Sequence, residues 1–375
     1  MKALQYVQDL ISFESTSNLS NVLIIDYLED VLTRIGFFTE RVEYEDAAGV
    51  YKANLIGKKG PGIGGISYFG HTDVVPADTW SINEHGPFQP TIKDGKLFGR
   101  GSCDMKASIA CMLEAAERFS VSDLKEPIYI TCTADEEVGY VGASQVVRQS
   151  KLFREMVEGE SRGLIGEPTM LEIVYAHKGT YGFKATSRGR ASHSSGNQGL
   201  NANLAMIPYL NEMKKIYDET VSNPIWQSSE FHPPGISWNI GINDQTRAVN
   251  ITPPQSICTV YFRPMPGQDA DSLIDRAQLA AEKCGIDFEI LWRGQPLYVD
   301  PNSSFVQEAL NLLGQKRPRT VSYGTDGAMF TDMKKLLLFG PGNVAQAHTD
   351  DEWIELDQVE KGTDMFTMLT RAWCF

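Results

Sequence analysis

Residues 64–73 read GGISYFGHTD, and residues 127–137 read PIYITCTADEE. Each is a short apolar run, bounded by glycine or proline, that ends in ionisable side chains. That form predicts a buried strand opening into a polar loop. Between them, MKASIACMLEAAERF (105–119) has the apolar spacing and composition of a helix. The apolar run ending in a loop returns at GLIGEPT (163–169) and at LLLFGPGN (336–343). Such alternation predicts an α/β domain with a mainly parallel sheet and helices on both faces. LQYVQDLISF (4–13) and NVLIIDYLEDVLTRIGF (21–37) predict two more helices, the second stopping at Gly36.

The middle of the chain has another rhythm. YGFKATSRGR (181–190) alternates like a strand with one exposed face, and NANLAMIPYLNEMKKIYDETV (201–221) is an amphipathic helix. GISWNIGIN (235–243) and SICTVYFRPM (256–265) predict two strands, DADSLIDRAQLAAEKCG (269–285) a second helix, and DFEILWRG (287–294) a fourth strand. Strand, helix, strand, strand, helix, strand is a ferredoxin-like α+β unit. It is expected at residues 178–290, inserted into a discontinuous larger domain of residues 1–177 and 291–375, whose pattern resumes near FVQEALNLL (305–313).

Composition narrows the function. The 375 residues are 42% hydrophobic and 22% charged, an ordinary globular balance. A net charge of −14 without a Lys/Arg run argues against nucleic acid or an anionic membrane as partner. The opening MKALQYVQDLISFEST predicts an amphipathic helix rather than a secretory leader, and no apolar stretch reaches the ~20 residues that span a bilayer. Six cysteines without a C-x-x-C pair read as reduced thiols. The expectation is a cytoplasmic protein.

In an open α/β sheet, ligands bind beyond the carboxyl ends of the strands. His71, Asp73, Asp135, Glu136, Glu137 and Glu167 all follow predicted strands, His348 lies in the loop after LLLFGPG, and Asp104 lies in GRGSCDMK before a helix. Each has an ordinary alternative: His71 a satisfied core histidine, Asp104 a helix N-cap, Asp135–Glu137 a solvated turn, His348 a surface histidine. Together they suit zinc, which accepts imidazole nitrogen and carboxylate oxygen. Charge balance favours two ions, since three ligating carboxylates and a hydroxide neutralise two divalent cations. Asp73 and Glu136 then remain for orientation and proton transfer.

HTDVVP (71–76), GRGSCDMK (99–106), TADEEVG (133–139), IGEPT (165–169), ASHSS (191–195) and QAHTDDEW (346–353) resemble, in order and spacing, a known family. It is the zinc-dependent deacylase and exopeptidase family of acetylornithine deacetylase, succinyl-diaminopimelate desuccinylase and glutamate carboxypeptidase. The resemblance covers essentially the whole chain. It implies that Asp104 bridges two zinc ions (cobalt or manganese as substitutes), with His71 and Glu167 on one and Glu137 and His348 on the other. It further implies that Asp73 orients His71, that Glu136 is the general acid/base, and that the inserted unit is a lid through which the protein can form a homodimer. His193 in that lid would stabilise the oxyanion, in its own or a partner subunit's site. Asn250 and Arg263, in AVNITP and YFRPMPG, would hold a substrate carboxylate, and Thr325 would also bind substrate. For Arg263 a strand-end surface charge, and for His193 a turn histidine satisfied by serines, stay open.

AHKG (176–179), RPMPG (263–267) and the QAH-x-x-DEW ending look most like acetylornithine deacetylase, making N-acetylornithine the leading substrate. SYGTDGAMF (322–330) departs from it: Gly324-Thr325-Asp326 stands where a Cys-Thr-Glu sequence is expected, closer to related carboxypeptidases and dipeptidases. His177-Lys178 replaces the arginine-rich turn expected of the desuccinylase. The expected substrate is thus an N-acyl amino acid or a dipeptide. A metal-dependent binding protein is the non-enzymatic alternative, disfavoured because a binding module has no need of Glu136.

Overall fold

A computed structural model describes residues 2–246 and 248–375. The chain divides into two compact units. The first comprises residues 1–176, 298–319 and 325–375, and the second residues 177–297 and 320–324.

The first unit is built on a mixed sheet. Its centre is four parallel strands in the order Ile128–Thr133, Ile66–His71, Arg162–Ile165, Leu336–Leu338. The hairpin Phe38–Glu45/Tyr51–Lys59 extends it antiparallel beside Ile128–Thr133. The α/β layering follows the expectation, and the parallel part is the central four strands. Nothing in the apolar pattern marks the hairpin: four of the eight residues of FTERVEYE are charged, and the buried strand YKANLIGKK carries Lys52, Asn54 and Lys59 inward. Those polar groups are tolerated because each is paired; Asn54, for example, donates to Val42 O and accepts from Ala134 N.

Helices cover both faces of the sheet. In a strand successive side chains point to opposite sides. Tyr68 reaches one side, where its hydroxyl donates to Ser108 of helix Ala107–Glu117 and its ring meets Phe366 of helix Leu356–Cys374. Phe69 reaches the other, against Phe153 of helix Lys151–Glu158 and Phe330. Truncating such a ring costs about 3–5 kcal/mol. Helix Ala107–Glu117 is buried from Ala107 to Ala116, as expected of a helix lying in the core.

The second unit is a four-stranded antiparallel sheet with helices Asn203–Ser222 and Ala270–Lys283. Its strand order is Ser237–Asn243, Gln255–Arg263, Thr180–Arg188, Asp287–Gly294. Numbered along the chain this reads 2-3-1-4, the ferredoxin-like arrangement. All six cysteines are free, and five are buried. No described helix is long and apolar enough to cross a membrane.

Candidate metal centre

Parallel strands bring their carboxyl ends to one edge, and the acids and imidazoles gather there. His71 closes strand Ile66–His71 and is 2% exposed. Its Nδ1–H donates to the backbone carbonyl of Asp73 at 2.8 Å, which fixes the tautomer; Nε2 lies 3.0 Å from Asp104 Oδ1. Asp104 Oδ2 lies 3.5 Å from His348 Nε2, and that nitrogen is 3.1 Å from Glu137 Oε1. Glu167 follows strand Arg162–Ile165 and is buried. One potential ligand atom from each of His71, Asp104 and Glu167 falls within 4.8 Å of the others, and the same holds for Asp104, Glu137 and His348. Two trios thus share a single carboxylate that turns one oxygen to each histidine. Nitrogen and oxygen donors in this combination fit a pair of divalent cations.

The electrostatics point the same way. Burial disfavours an imidazolium at His71, yet the bond to Asp104 and the surrounding acids hold its pKa well above the usual histidine value. His348 is pushed up to about 10 by Asp104 and Glu137. Asp104, despite burial, is held below the usual carboxylate range by the two histidines. Glu136, Glu137 and Glu167 are all raised, by burial first and then by neighbouring acids. A cluster that pulls protons onto histidines and acids alike is short of positive charge.

Asp73 has two tasks. Its carboxylate is 3.7 Å from His71 Nδ1, so it orients the ring through its carbonyl instead. Its carboxylate oxygens accept from the backbone N–H groups of Glu136 (3.1 Å) and Glu137 (3.3 Å) and from Ser17 Oγ (2.8 Å). Behind that turn, Asp135 adopts a left-handed φ of 57° and is tied to Lys52 (2.8 Å) and Tyr44 (2.7 Å). Thr325 is fully buried, and its hydroxyl accepts from Gly327 N.

His193, Asn250 and Arg263 belong to the second unit. His193 bridges to Ile251, which brings Asn250 alongside: Ser194 N donates to Asn250 O. His193 Nδ1 accepts from Ser195 N–H at 3.2 Å, so its proton sits on Nε2. Arg263 stacks on Tyr261 and has a buried Nη1 with no hydrogen-bond partner among the described residues.

Several neighbours escaped the sequence reading. Asp326 is 3% exposed, accepts from Thr133 Oγ at 2.5 Å, and is pushed up to about 7 by burial. It stood in view within Gly324-Thr325-Asp326 but was not singled out. Ser17, Tyr44 and Lys52 come from segments far along the chain with no motif to mark them. Cys103 packs beneath the loop, donating to Asn343 O.

Residues 68–372 match the model of peptidase family M20/M25/M40. The chain belongs to this family. Membership makes it a hydrolase of amide bonds. It is 31% identical over 364 residues to an acetylornithine deacetylase of Myxococcus xanthus, covering 94% of this chain and 92% of that protein. In fold it is similar to an M20 family metallo-carboxypeptidase from Sulfolobus solfataricus, with a TM-score of 0.78 at 15% identity, covering 100% of this chain and 99% of that one. A Bacillus subtilis protein described as a dinuclear metal binding peptidase of family M20 matches with a TM-score of 0.66 at 14% identity, covering 98% and 96%.

Proposed function

We propose that this family M20 hydrolase cleaves the amide bond of an N-acyl amino acid, N-acetylornithine first, using two divalent cations, zinc by preference. The observation that carries the reading is Asp104, shared between two complete trios. Asp104 would bridge, His71 and Glu167 would complete one site, and Glu137 and His348 the other. When bound, such a pair supplies Lewis acidity to the scissile carbonyl and lowers the pKa of water toward ~7. Glu136, buried and raised among other acids, takes the proton of the attacking water and delivers it to the leaving nitrogen. Asp73 holds the Glu136–Glu137 turn still while that proton moves. His193, protonated on Nε2, offers a donor to the developing oxyanion. The unsatisfied Nη1 of Arg263, with Asn250, suits a substrate carboxylate. Thr325 serves through the turn it caps. The second unit acts as lid and as the seat of a homodimer, its strand Ser237–Asn243 lying at a sheet edge and its Leu204 and Ile207 exposed one helical turn apart.

The second reading, a carboxypeptidase or dipeptidase, is favoured by Gly324-Thr325-Asp326. Turnover of N-acetylornithine, N-succinyl-diaminopimelate and small dipeptides by zinc-, cobalt- or manganese-loaded protein, with and without chelator, separates the readings. The Glu136→Gln variant is expected to keep its metal and lose about 10²–10⁴-fold in kcat. Turnover equal to the parent's would remove Glu136 from the mechanism. Light scattering measures the oligomeric state.

A further inference from the structure

One buried carboxylate near the metal-facing residues has no role in the chemistry above. Glu352 is 1% exposed, four residues beyond His348. Its Oε1 accepts from the backbone N–H groups of Cys103 (2.8 Å) and Asp104 (3.0 Å). Its Oε2 accepts from Gly101 N (2.9 Å) and from Arg100 Nη1 (2.9 Å). Arg100, equally buried, donates its other terminal nitrogen to Pro76 O at 3.3 Å. Three ligand-bearing segments therefore meet at one ion pair: the loop after His71, the loop of Asp104, and the loop of His348. The Asp104 loop is tightly seated as well, since a Cβ on Gly101 (φ 82°) would lie 2.8 Å from Val74 Cγ1.

A buried ion pair is a weak device for stability alone, because desolvation offsets most of its attraction. This one spends three of its acceptor contacts on the N–H groups of Gly101, Cys103 and Asp104, in the segment that ends at Asp104, and those bonds fix the backbone from which the Asp104 carboxylate projects. We infer that Glu352, held in place by Arg100, is a positioning residue for metal binding: it sets the backbone of the shared ligand Asp104 and the loop carrying His348, so that both trios form together. The inference rests on the proposed two-ion reading.

Calorimetric titration of zinc into metal-free protein, with thermal unfolding recorded in parallel, tests it. The parent is expected to take up two ions, and Glu352→Gln to bind them about 10–100-fold more weakly. Should Glu352→Gln fail to fold, Glu352→Asp keeps the charge opposite Arg100 but, one methylene shorter, withdraws from Cys103 and Asp104; it is expected to weaken zinc in the same way. A variant that unfolds earlier when metal-free yet binds both ions with the parent's affinity overturns the inference, leaving a merely structural pair. A parent that binds fewer than two ions removes the two-ion reading itself, so the two failures are distinct.

Discussion

Replacing Lys52 with methionine isolates the device behind the Glu136–Glu137 turn. The ammonium of Lys52 lies 2.8 Å from Asp135 Oδ1, and the two side chains are 1% and 2% exposed. It also donates to Ser17 O (2.6 Å) and Leu19 O (2.8 Å). Methionine fills much the same volume but, among the described residues, leaves the Asp135 carboxylate with only the Tyr44 hydroxyl. Removing one partner of a buried pair costs about 3–5 kcal/mol. At roughly 2–4 °C per kcal/mol for a unit of this size, the unfolding midpoint should fall by about 6–20 °C. The assay is thermal unfolding of the metal-free protein, extended to the double variant Lys52→Met/Asp135→Asn. The double variant should recover most of the loss, because no uncompensated charge then remains. If single and double variants unfold at the same temperature, the charge is not the cause and the argument fails.

Two further outcomes follow from the titrating groups. In the metal-free protein the His71 and His348 imidazoles hold protons at neutral pH, His348 with a pKa near 10, and ligation must displace them. Zinc uptake at pH 7.5 should therefore release protons, and affinity should rise with pH; calorimetry in two buffers of different ionisation enthalpy gives the count, and a count of zero contradicts it. In the second unit, burial pushes His177 down to about 4. A depressed histidine contributes stability in full above its unfolded value of about 6.5, and loses it as pH falls through about 4. The loss is on the order of 3 kcal/mol, and the acid limb of a urea-unfolding series should flatten in His177→Gln.

Strands such as ISYFGH and IYITCT were legible because strands buried on both faces are predominantly apolar and carry no charged residue before their carboxyl end. The hairpin Phe38–Glu45/Tyr51–Lys59 was not, since its buried lysines and asparagine resemble solvent-facing residues until their partners are seen. The same rule applies at the candidate metal centre. His71, Asp104, Glu137, Glu167 and His348 could be gathered on paper because each follows a strand or opens a helix, and strand ends share an edge. Lys52, Tyr44, Arg100 and Glu352 could not, because their bonds join residues far apart in the chain: Arg100 meets Glu352 across 252 positions and Tyr44 meets Asp135 across 91. No local spacing encodes such a pairing.

Both trios are drawn wholly from the first unit, while His193, Asn250 and Arg263 come from an insertion. On the proposed assignment, the residues that would hold the cations and these three that would hold the substrate are thereby written in separate stretches of the chain. On that assignment, substitutions in the inserted stretch would change the fit of the substrate while leaving the candidate cation ligands as they are. For protein engineers the proposed division marks residues 177–297, together with Thr325 in the first unit, as the place to alter selectivity.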